Sequence, residues 1–378
     1  MNKRKERVLI TGGAGFIGSH TADALVKKGY RIRILDNLMP PVHKNGKWPD
    51  YVRGKNYELI RGDVTNKATW QKALKGVQYV YHLAAFQDQM PEFSKFFSTN
   101  TLSTSFLYEL LASGKFSVKK IIVVSTQFVY GDGQYKCIHG QKKVFYPELR
   151  TLSQFKKQKW EVLCPHGKRA TFVPFQEDQK LMPTNSYGLS KIASENLALR
   201  LGKTYNIPTT IVRYSIVQGP RQSPYNLYSG ALRIFTTQAL TGGPIIVYED
   251  GKQLRDFINI EDVVQANVLL LKDKRADFKI FNIGGGKGYS ILEFSKIVQK
   301  IINPQARIVV PGLFRKTDTR HSVSDISRIK KLGWKPKNNP FKSVQDYGIW
   351  FKKNNFDTKK LIIPLSKLKK LGVVSDYK

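Results

Sequence analysis

A tyrosine and a lysine stand four residues apart in Tyr187-Gly-Leu-Ser-Lys191. Residues at that spacing share one face of a helix. A lysine ammonium beside a phenol favours the phenolate and lowers the pKa of the tyrosine, so that it can act as a base near neutral pH. We therefore predict that Tyr187 is a catalytic base and that Lys191 tunes it. This motif alone is common by chance, so other motifs in the sequence are needed to support a catalytic role.

A glycine-rich turn lies near the start of the chain, between Arg7 and Gly18. Its residues Gly13-Ala-Gly15-Phe-Ile-Gly18 fit G-x-G-x-x-G, directly after Gly12 and an apolar strand, and directly before a helix. Such a turn lets the backbone approach a pyrophosphate, while the free amides and the dipole of the helix N-terminus favour anions. The segment therefore predicts a bound dinucleotide.

An acidic residue ends the next strand. The strand 31–35 leads into Asp36, which lies about 20 residues after the glycine turn. This is the spacing expected for an acidic residue that contacts the ribose of a bound dinucleotide. A carboxylate there hydrogen bonds the ribose hydroxyls of NAD and repels the 2′-phosphate of NADP. We predict NAD as the cofactor, although Arg33 lies nearby and leaves NADP as an alternative.

Short apolar runs alternate with helical patterns through the first 213 residues. Strands are predicted at 8–11, 31–35, 57–61, 79–83, 120–125 and 209–212, and helices around 18–28, 67–74, 96–112 and 187–204. Near-continuous apolar strands that alternate with helices are typical of a parallel sheet covered on both faces. The predicted fold class is α/β, a Rossmann-like doubly wound parallel sheet with a smaller C-terminal α/β substrate domain.

The pattern suggests a division into three parts. We assign 1–213 to an NAD-binding domain and 214–350 to a smaller substrate-binding domain, followed by a basic tail at 351–378. The segment 132–183 has little periodicity and is predicted to be an insertion in the first domain. The segment 256–283, beginning with an excursion at 256–263, is expected to return to the first domain.

The charge balance is strongly basic, with a net charge of +35 on 378 residues. Such a charge attracts anions, including nucleic acids and anionic lipids. The basic residues are scattered, without an arginine-rich arm or an RNA-recognition signature, so no nucleic-acid partner is expected. Two cysteines and the lack of an apolar run of about 18 residues favour a cytoplasmic protein. A basic amphipathic stretch at 361–371 leaves weak membrane-surface association open, although an ordinary terminus is preferred.

Motifs spread from residue 7 to about residue 350 combine into one resemblance. They are TGGAGFIG, LDN, GDV, HLAA, an ST…VYG run, YGLSK, VRY…GPRQ, RDFINIEDV, FNIGGG and DTRHSVSD…LGW. Together they resemble the extended short-chain dehydrogenase/reductases, in the NAD-dependent epimerase/dehydratase family of nucleotide-sugar enzymes. The resemblance implies a nucleotide-sugar substrate and a homodimer in which the helices around 96–112 and 187–204 pair.

The resemblance also implies a role for individual residues. Thr126 would hydrogen bond the C4 oxygen of the sugar, Tyr187 would remove its proton, and Lys191 would hold the nicotinamide ribose. The predicted cofactor-binding residues are Gly12, Gly15, Phe16, Ile17, Gly18, Asp36, Asn37, Asp63, Val64, Leu83, Ala84, Ala85, Asn100, Tyr187, Lys191 and Tyr214. The predicted substrate-binding residues are Gln127, Arg221, Arg255 and Arg315.

Departures from the family pattern narrow the reaction. The 4,6-dehydratases carry an Asp-Glu pair after the threonine, where this chain has Gln127 and Phe128, so dehydration is disfavoured. Ile216 stands where many relatives have an asparagine that binds the diphosphate. A finer resemblance, to the dTDP-L-rhamnose 4-epimerase-like branch, rests on LDNLMPPVHKNGKWPDYV, the long insertion and GPRQSPYNLYSGALRIF.

These features predict an NAD-dependent nucleotide-sugar 4-epimerase that acts through a transient 4-keto intermediate, with a dTDP-6-deoxyhexose as the candidate substrate. NAD would be held tightly and regenerated in each turnover. The alternatives are a nucleotide-sugar oxidoreductase, or another epimerase or a dehydratase, on the same scaffold. A basic RNA-binding or regulatory member of the fold is a less favoured alternative.

The insertion repeats a short pattern, Cys137-Ile-His139-Gly140 and Cys164-Pro-His166-Gly167. Four such donors could form a closed structural zinc site, and relatives in the branch often carry C-x-x-C pairs here that resemble a zinc ribbon. The one-residue spacing is tighter than usual, however. The preferred interpretation is a degenerated site whose cysteines pack as small apolar groups, and no metal ligand is predicted.

Overall fold

The computed structural model describes residues 5–43, 45–88, 92–137, 144–225, 230–361, 365–370 and 372–376. The strands are β1 Arg7–Thr11, β2 Arg31–Asp36, β3 Tyr57–Arg61, β4 Tyr79–His82, β5 Lys120–Thr126, β6 Gln134–Lys136, β7 Val144–Phe145, β8 Thr171–Val173, β9 Thr209–Tyr214, β10 Ile216–Gln218, β11 Ile245–Ile246, β12 Leu254–Asn259, β13 Lys279–Ile283, β14 Gly288–Ser290 and β15 Ile308–Val309. The helices are α1 Phe16–Lys27, α2 Lys67–Leu74, α3 Phe93–Phe96, α4 Ser103–Ala112, α5 Leu152–Lys156, α6 Ser186–Thr204, α7 Gly230–Leu240, α8 Ile260–Lys272, α9 Ile291–Ile302, α10 Ser327–Lys330, α11 Pro340–Lys353 and α12 Leu365–Lys370.

A parallel sheet forms the centre of the protein. Within the described residues it has seven strands, in the order β13-β9-β5-β4-β1-β2-β3. Each neighbouring pair is parallel. The strand order reverses between β1 and β4, and in such sheets ligands bind in the crevice at that switch point, beyond the carboxyl ends of the strands. The predicted α/β fold is confirmed.

Helices cover both faces of this sheet, because neighbouring residues of each strand point to opposite sides. On one face Ile10 packs in a cluster with residues of α1 and α8, including Ala22 and Ala266. On the other, Leu9 packs with residues of α2, α4 and α6. The strand β5 is buried along its whole length, as its continuous apolar run predicted.

The strand at 254–259 differs from its expectation. It does not enter the central sheet but pairs with β10 and β14 in a separate three-stranded sheet. The buried carboxylate of Asp256 fixes it there by accepting hydrogen bonds from Ser215 Oγ at 2.9 Å and from the amide of Gly285 at 2.7 Å. The chain returns to the central sheet later, at β13, which pairs with β9.

The segment 132–183 contains local structure of its own. Its strands β6, β7 and β8 form a small antiparallel sheet, and the short helix α5 lies between β7 and β8 in the chain. A cluster of five buried residues holds it together, and these are Tyr135, Cys137, Val162, Cys164 and Ala170. Small size explains the weak periodicity, since strands of two or three residues are too short to show an alternating pattern.

No helix within the described ranges combines the length and the apolar character that a membrane span needs. In the basic tail, α12 buries none of its residues. Residues 362–364 and 371 of the amphipathic stretch discussed above lie outside the described residues.

Candidate active site

A cleft of about 900 Å³ opens at the carboxyl edge of the central sheet. It runs from the glycine turn along β5 and α6 to the loops beyond β12. The predicted site residues that line it are Gly12, Gly15, Phe16, Ile17, Gly18, Asp36, Asn37, Asp63, Val64, Leu83, Ala84, Ala85, Thr126, Tyr187, Lys191, Tyr214, Arg255 and Arg315. Three predicted residues, Asn100, Gln127 and Arg221, are not part of its lining.

The glycine turn brings a helix N-terminus to the cleft. A Cβ on Gly18 would lie 2.4 Å from the carbonyl oxygen of Gly12, so only glycine permits this contact between helix and turn. The N-cap of α1 is Gly15, which provides no side-chain cap for the first amides. Those amides therefore suit an anionic group from outside, which is the fit that a dinucleotide pyrophosphate requires.

Asp36 links the turn to the second strand. Its carboxylate accepts hydrogen bonds from the amides of Ala14 at 3.0 Å and Leu38 at 2.9 Å. Burial raises the pKa of Asp36, while nearby His43, at 3.8 Å, acts in the opposite direction. Two amide donors occupy only part of the lone pairs of a carboxylate, so acceptor capacity remains for ribose hydroxyls.

Arg33, the residue that left NADP open, turns away from the cleft. Its guanidinium donates to the carbonyl oxygens of Ala73 and Lys75, each at 2.7 Å, and to Glu58 at 2.9 Å. These partners hold it on the far side of β2, where it lies outside the cleft lining. The geometry around Asp36 therefore favours a cofactor without a 2′-phosphate.

The predicted catalytic residues meet at the end of β5. The side-chain hydroxyl of Thr126 lies close to that of Tyr187 and favours its phenolate. One helical turn further along, Lys191 Nζ donates to the carbonyl oxygen of Val124 at 2.6 Å. This bond fixes α6 against β5, so that the tyrosine of the helix faces the threonine of the strand.

The expected lowering of the tyrosine pKa is not found among the groups of the chain. Burial raises the pKa of Tyr187 well above its usual value, against the weaker effect of the Thr126 hydrogen bond. Burial also lowers the pKa of Lys191 to about 8, against the opposing charge of Glu195. A buried phenol prefers its neutral form, so a further positive charge in the cleft is needed before Tyr187 can act as a base.

Two residues occupy the positions of the dehydratase acid pair. Gln127 is buried, and its Oε1 has no partner. Phe128 lines the cleft and meets the Tyr187 ring edge to face, with 6.4 Å between the ring centres. Because neither side chain carries a carboxylate, neither can shuttle a proton at these two positions.

Asn100 has a structural partner for each end of its amide. Its Oδ1 accepts from the amide of Phe86 at 2.8 Å, and its Nδ2 donates to the carbonyl oxygen of Phe86 at 3.1 Å and to Ser190 Oγ at 2.9 Å. It lies in a π-helical turn, Phe97–Leu102, between α3 and α4. Asn100 therefore holds the loop after β4, which lines the cleft, without lining it itself. The π turn has no signal in the sequence.

The predicted substrate arginines differ in what they can offer a ligand. Arg255 uses both terminal nitrogens on protein oxygens, including Asp318 Oδ1 at 3.0 Å and the carbonyl of Thr319 at 2.9 Å. Arg315 stacks over the Tyr248 ring at 5.3 Å, and its buried Nε has no partner. Arg221 pairs with Asp23 at 2.8 Å, away from the cleft. Of the three, Arg315 is the most available to an anion.

Sequence reasoning missed many residues of the cleft wall, among them Tyr248 and His43. Tyr248 carries the arginine just described, and His43 lies against Asp36. Tyr248 belongs to no quoted motif, and His43 lies within LDNLMPPVHKNGKWPDYV without a spacing that indicates a role. Only the folded chain brings them to the site.

A second cluster lies in the insertion, away from the cleft. One ligand atom from each of Cys137, Cys164 and His166 lies within 4.8 Å of the others, and Cys137 Sγ is 3.4 Å from His166 Nδ1. Both cysteines are buried, and neither forms a disulfide. His139, the fourth donor of the repeated pattern, lies outside the described residues. The three described donors therefore lie close together, although the two cysteines also pack in the small apolar core of the insertion.

Comparison with known proteins agrees with this geometry. The model of the NAD dependent epimerase/dehydratase family matches residues 8–162 and 163–284. The chain belongs to this family. It is 31% identical to dTDP-L-rhamnose 4-epimerase of Burkholderia thailandensis, over 91% of this chain and 94% of that protein. A putative UDP-glucose 4-epimerase of Methanocaldococcus jannaschii is 29% identical, over 92% of this chain and 99% of that protein.

Solved structures agree as well. The UDP-glucuronic acid 4-epimerase of Bacillus cereus, in complex with UDP-glucuronic acid and NAD, is 26% identical with a TM-score of 0.74, over 92% of this chain and 99% of that one. The UDP-glucose 4-epimerase of Thermus thermophilus in complex with NAD is 25% identical with a TM-score of 0.72, over 92% and 99%. The family relation to NAD-dependent enzymes of nucleotide sugars is thus supported by both sequence and fold.

The Asp36 geometry predicts a change in cofactor preference. In Asp36→Asn we expect the ratio of NAD affinity to NADP affinity to fall at least about tenfold, because the charge that repels a 2′-phosphate is removed. Titration of both dinucleotides by calorimetry measures the ratio. Glu109→Gln, which removes a half-exposed carboxylate of α4 outside the cleft lining, is the control and should keep the preference of the wild type. An unchanged ratio in Asp36→Asn would contradict the assignment.

Proposed function

We propose that this protein is an NAD-dependent nucleotide-sugar 4-epimerase that works through a transient 4-keto sugar. The observation that carries the proposal is that Thr126, Tyr187 and Lys191 line the same cleft as the glycine turn. The 4-epimerases among the relatives and solved structures support the reaction class. The relative that acts on dTDP-L-rhamnose favours a dTDP-6-deoxyhexose as the substrate.

Each catalytic side chain has one task in this proposal. Thr126 holds the C4 oxygen of the sugar, and Tyr187 removes its proton and later returns it. Lys191 positions the nicotinamide ribose, and Asp36 holds the adenosine ribose. When bound, NAD supplies a hydride acceptor next to C4 and a positive charge that favours the phenolate of Tyr187.

The cleft residues also argue against elimination of water. Removal of water across C5 and C6 requires a proton shuttle next to the threonine, and Phe128 places an aromatic ring there. With elimination disfavoured, the 4-keto sugar has to be reduced again before it leaves. NAD held by the glycine turn and Asp36 would supply a hydride that could return to the opposite face of C4, which would invert C4 and regenerate the cofactor.

The oxidoreductase alternative makes a different prediction, which is release of NADH in amounts equal to the substrate consumed. An RNA-binding role does not need Thr126, Tyr187 and Lys191 together, and we do not favour it. We also propose a homodimer formed by the helices that the family resemblance indicates. Exposed apolar side chains on these helices support it, with Phe97 42%, Leu102 42% and Leu189 50% exposed.

Replacement of Tyr187 tests the proposal. In Tyr187→Phe we expect the rate of epimerisation to fall by about 10³-fold or more, since the base is lost, while NAD remains bound. The substrates are dTDP-L-rhamnose, UDP-glucose and UDP-glucuronic acid, with inversion at C4 followed by NMR. Tyr205→Phe, at an exposed helix end, is the control and should retain full activity.

Surviving epimerisation in Tyr187→Phe would refute the assigned base. Net formation of NADH by the wild type with any of these sugars would favour the oxidoreductase.

We further propose that Cys137, Cys164 and His166 hold a structural zinc ion. Donors at the usual zinc distances in a tetrahedral site lie roughly 3.5 to 3.8 Å apart, and the observed 3.4 Å between sulfur and nitrogen is close to this range. A metal would join the end of β6 to the turn that contains Cys164, across a small core of five buried residues. Zinc is a common way to stabilise a core of that size.

Metal analysis tests the zinc proposal. We expect about one zinc ion per chain in protein purified from zinc-supplemented cells, and less than about 0.2 in Cys164→Ala, because a thiolate ligand is removed. Val162→Ala, which disturbs the same core without removing a donor, is the control and should keep its zinc. Less than about a tenth of an equivalent in the wild type, with both thiols open to titration, would refute the proposal.

A further inference from the structure

The insertion contacts one short segment of the sugar side of the cleft. We call residues 314–320 the substrate segment, because Arg315, Thr317 and Asp318 within it line the cleft. Three separate contacts join the insertion to this segment. They use an aromatic stack, a buried arginine and a buried carboxylate.

The aromatic contact lies directly before Arg315. Phe155 of α5 stacks on Phe314, with 4.6 Å between the ring centres and an angle of 4° between the planes. Trp160 packs against the same pair, and all three are buried in one cluster. Phe314 precedes Arg315 in the chain, so the stack fixes the point from which that arginine enters the cleft.

Arg150 makes the second contact. Its guanidinium lies over the Phe155 ring at 4.6 Å and forms a bidentate pair with Glu249, with both distances at 2.9 Å. It also donates to the carbonyl oxygen of Asp318 at 2.8 Å. Asp318 in turn accepts from Arg255 at 3.0 Å. A single arginine of the insertion therefore supports the backbone of the residue that positions Arg255.

The third contact closes the end of the segment. Arg320 is fully buried and donates to Glu161 of the insertion at 2.6 Å and to Glu249 at 2.8 Å. The amide of Arg320 donates to Asp132, at the start of the insertion, at 2.8 Å. Since buried charges need their partners, these pairs hold the segment in one arrangement.

We propose that the insertion is a positioning element for the substrate segment, and that Arg150 is a positioning residue for binding of the nucleoside diphosphate part of the substrate. This inference rests on the proposed function, since it takes the cleft beside Arg315 as the nucleotide-sugar site. None of the described residues of the insertion lines the cleft. The insertion acts by fixing the substrate segment, which contains Arg315 and whose Asp318 positions Arg255.

The contacts that Arg150 makes require a guanidinium group. A guanidinium can bind the two oxygens of Glu249 and reach Trp160 and Asp318 in one plane. A lysine keeps the charge but offers a single point of contact, so it cannot keep all of these bonds. Arg150→Lys therefore loosens the segment while the buried carboxylate of Glu249 keeps a cation.

The test measures ligand affinity in the NAD-loaded full chain. We expect Arg150→Lys to weaken binding of dTDP and UDP, measured by calorimetry, at least about tenfold, because a small displacement of the segment misplaces Arg315. The KM for the nucleotide sugar should rise to a similar degree, with kcat and NAD content close to the wild type. The control is Arg169→Lys, in the same insertion, whose side chain is 72% exposed.

A purely structural role for Arg150 would lower the melting temperature and leave the affinity for dTDP and UDP unchanged, and that result would overturn the proposal. If Arg150→Lys does not fold, Phe155→Leu loosens the stack and leaves the charges in place. It should weaken diphosphate binding about threefold or more, and unchanged affinity there would also overturn the proposal. Binding of free diphosphates does not depend on turnover, so failure of the epimerase assignment gives a separate result.

Discussion

The parallel direction of all strands in the central sheet is the constraint on which the site depends. Because each strand ends at the same edge, the glycine turn after β1, Asp36 at the end of β2 and Thr126 at the end of β5 reach one cleft. The hydrogen bond from Lys191 to Val124 then docks α6 against that edge. It brings Tyr187 to Thr126, although the two residues are 61 positions apart in the chain.

Burial gives this cleft its chemical character. It raises the pKa of Tyr187 and lowers that of Lys191, so that the resting chain holds a neutral phenol next to a lysine with a reduced preference for its charge. Both pKa shifts suit a site in which Tyr187 acts as a base only when the cationic nicotinamide ring is bound. The cofactor would then serve as hydride acceptor and also as the charge that activates the base.

The sequence allowed the inner part of the site to be predicted, because local spacing determines it. The glycine turn, the strand that ends in Asp36 and the i,i+4 pair of α6 each depend on a few neighbouring residues. The family resemblance added Thr126. The roles assigned to Asn100 and Arg255 stay predictions, and hydrogen bonds to distant backbone atoms occupy part of each side chain. The π turn around Asn100 has no pattern of its own.

The outer part of the site could not be predicted for a related reason. Arg150 and Glu249 are 99 residues apart, and their pairing depends on how the insertion and the sugar side pack together. No periodicity indicates such a contact. Of the segment 256–283, which was expected to return to the first domain, α8 and β13 do so, whereas β12 at its start pairs in the separate three-stranded sheet. The partners of the buried Asp256 carboxylate, which fix β12 there, lie far away in the sequence.

The central claim is that hydride leaves C4 and returns to C4 within one closed cycle. It is tested most directly with dTDP-L-rhamnose carrying deuterium at C4, incubated with the NAD-loaded protein in ordinary water, with unlabelled free NADH present. The account predicts a C4-inverted product that retains the deuterium at C4. Inverted product that has exchanged its label for hydrogen, from water or from free NADH, would contradict it.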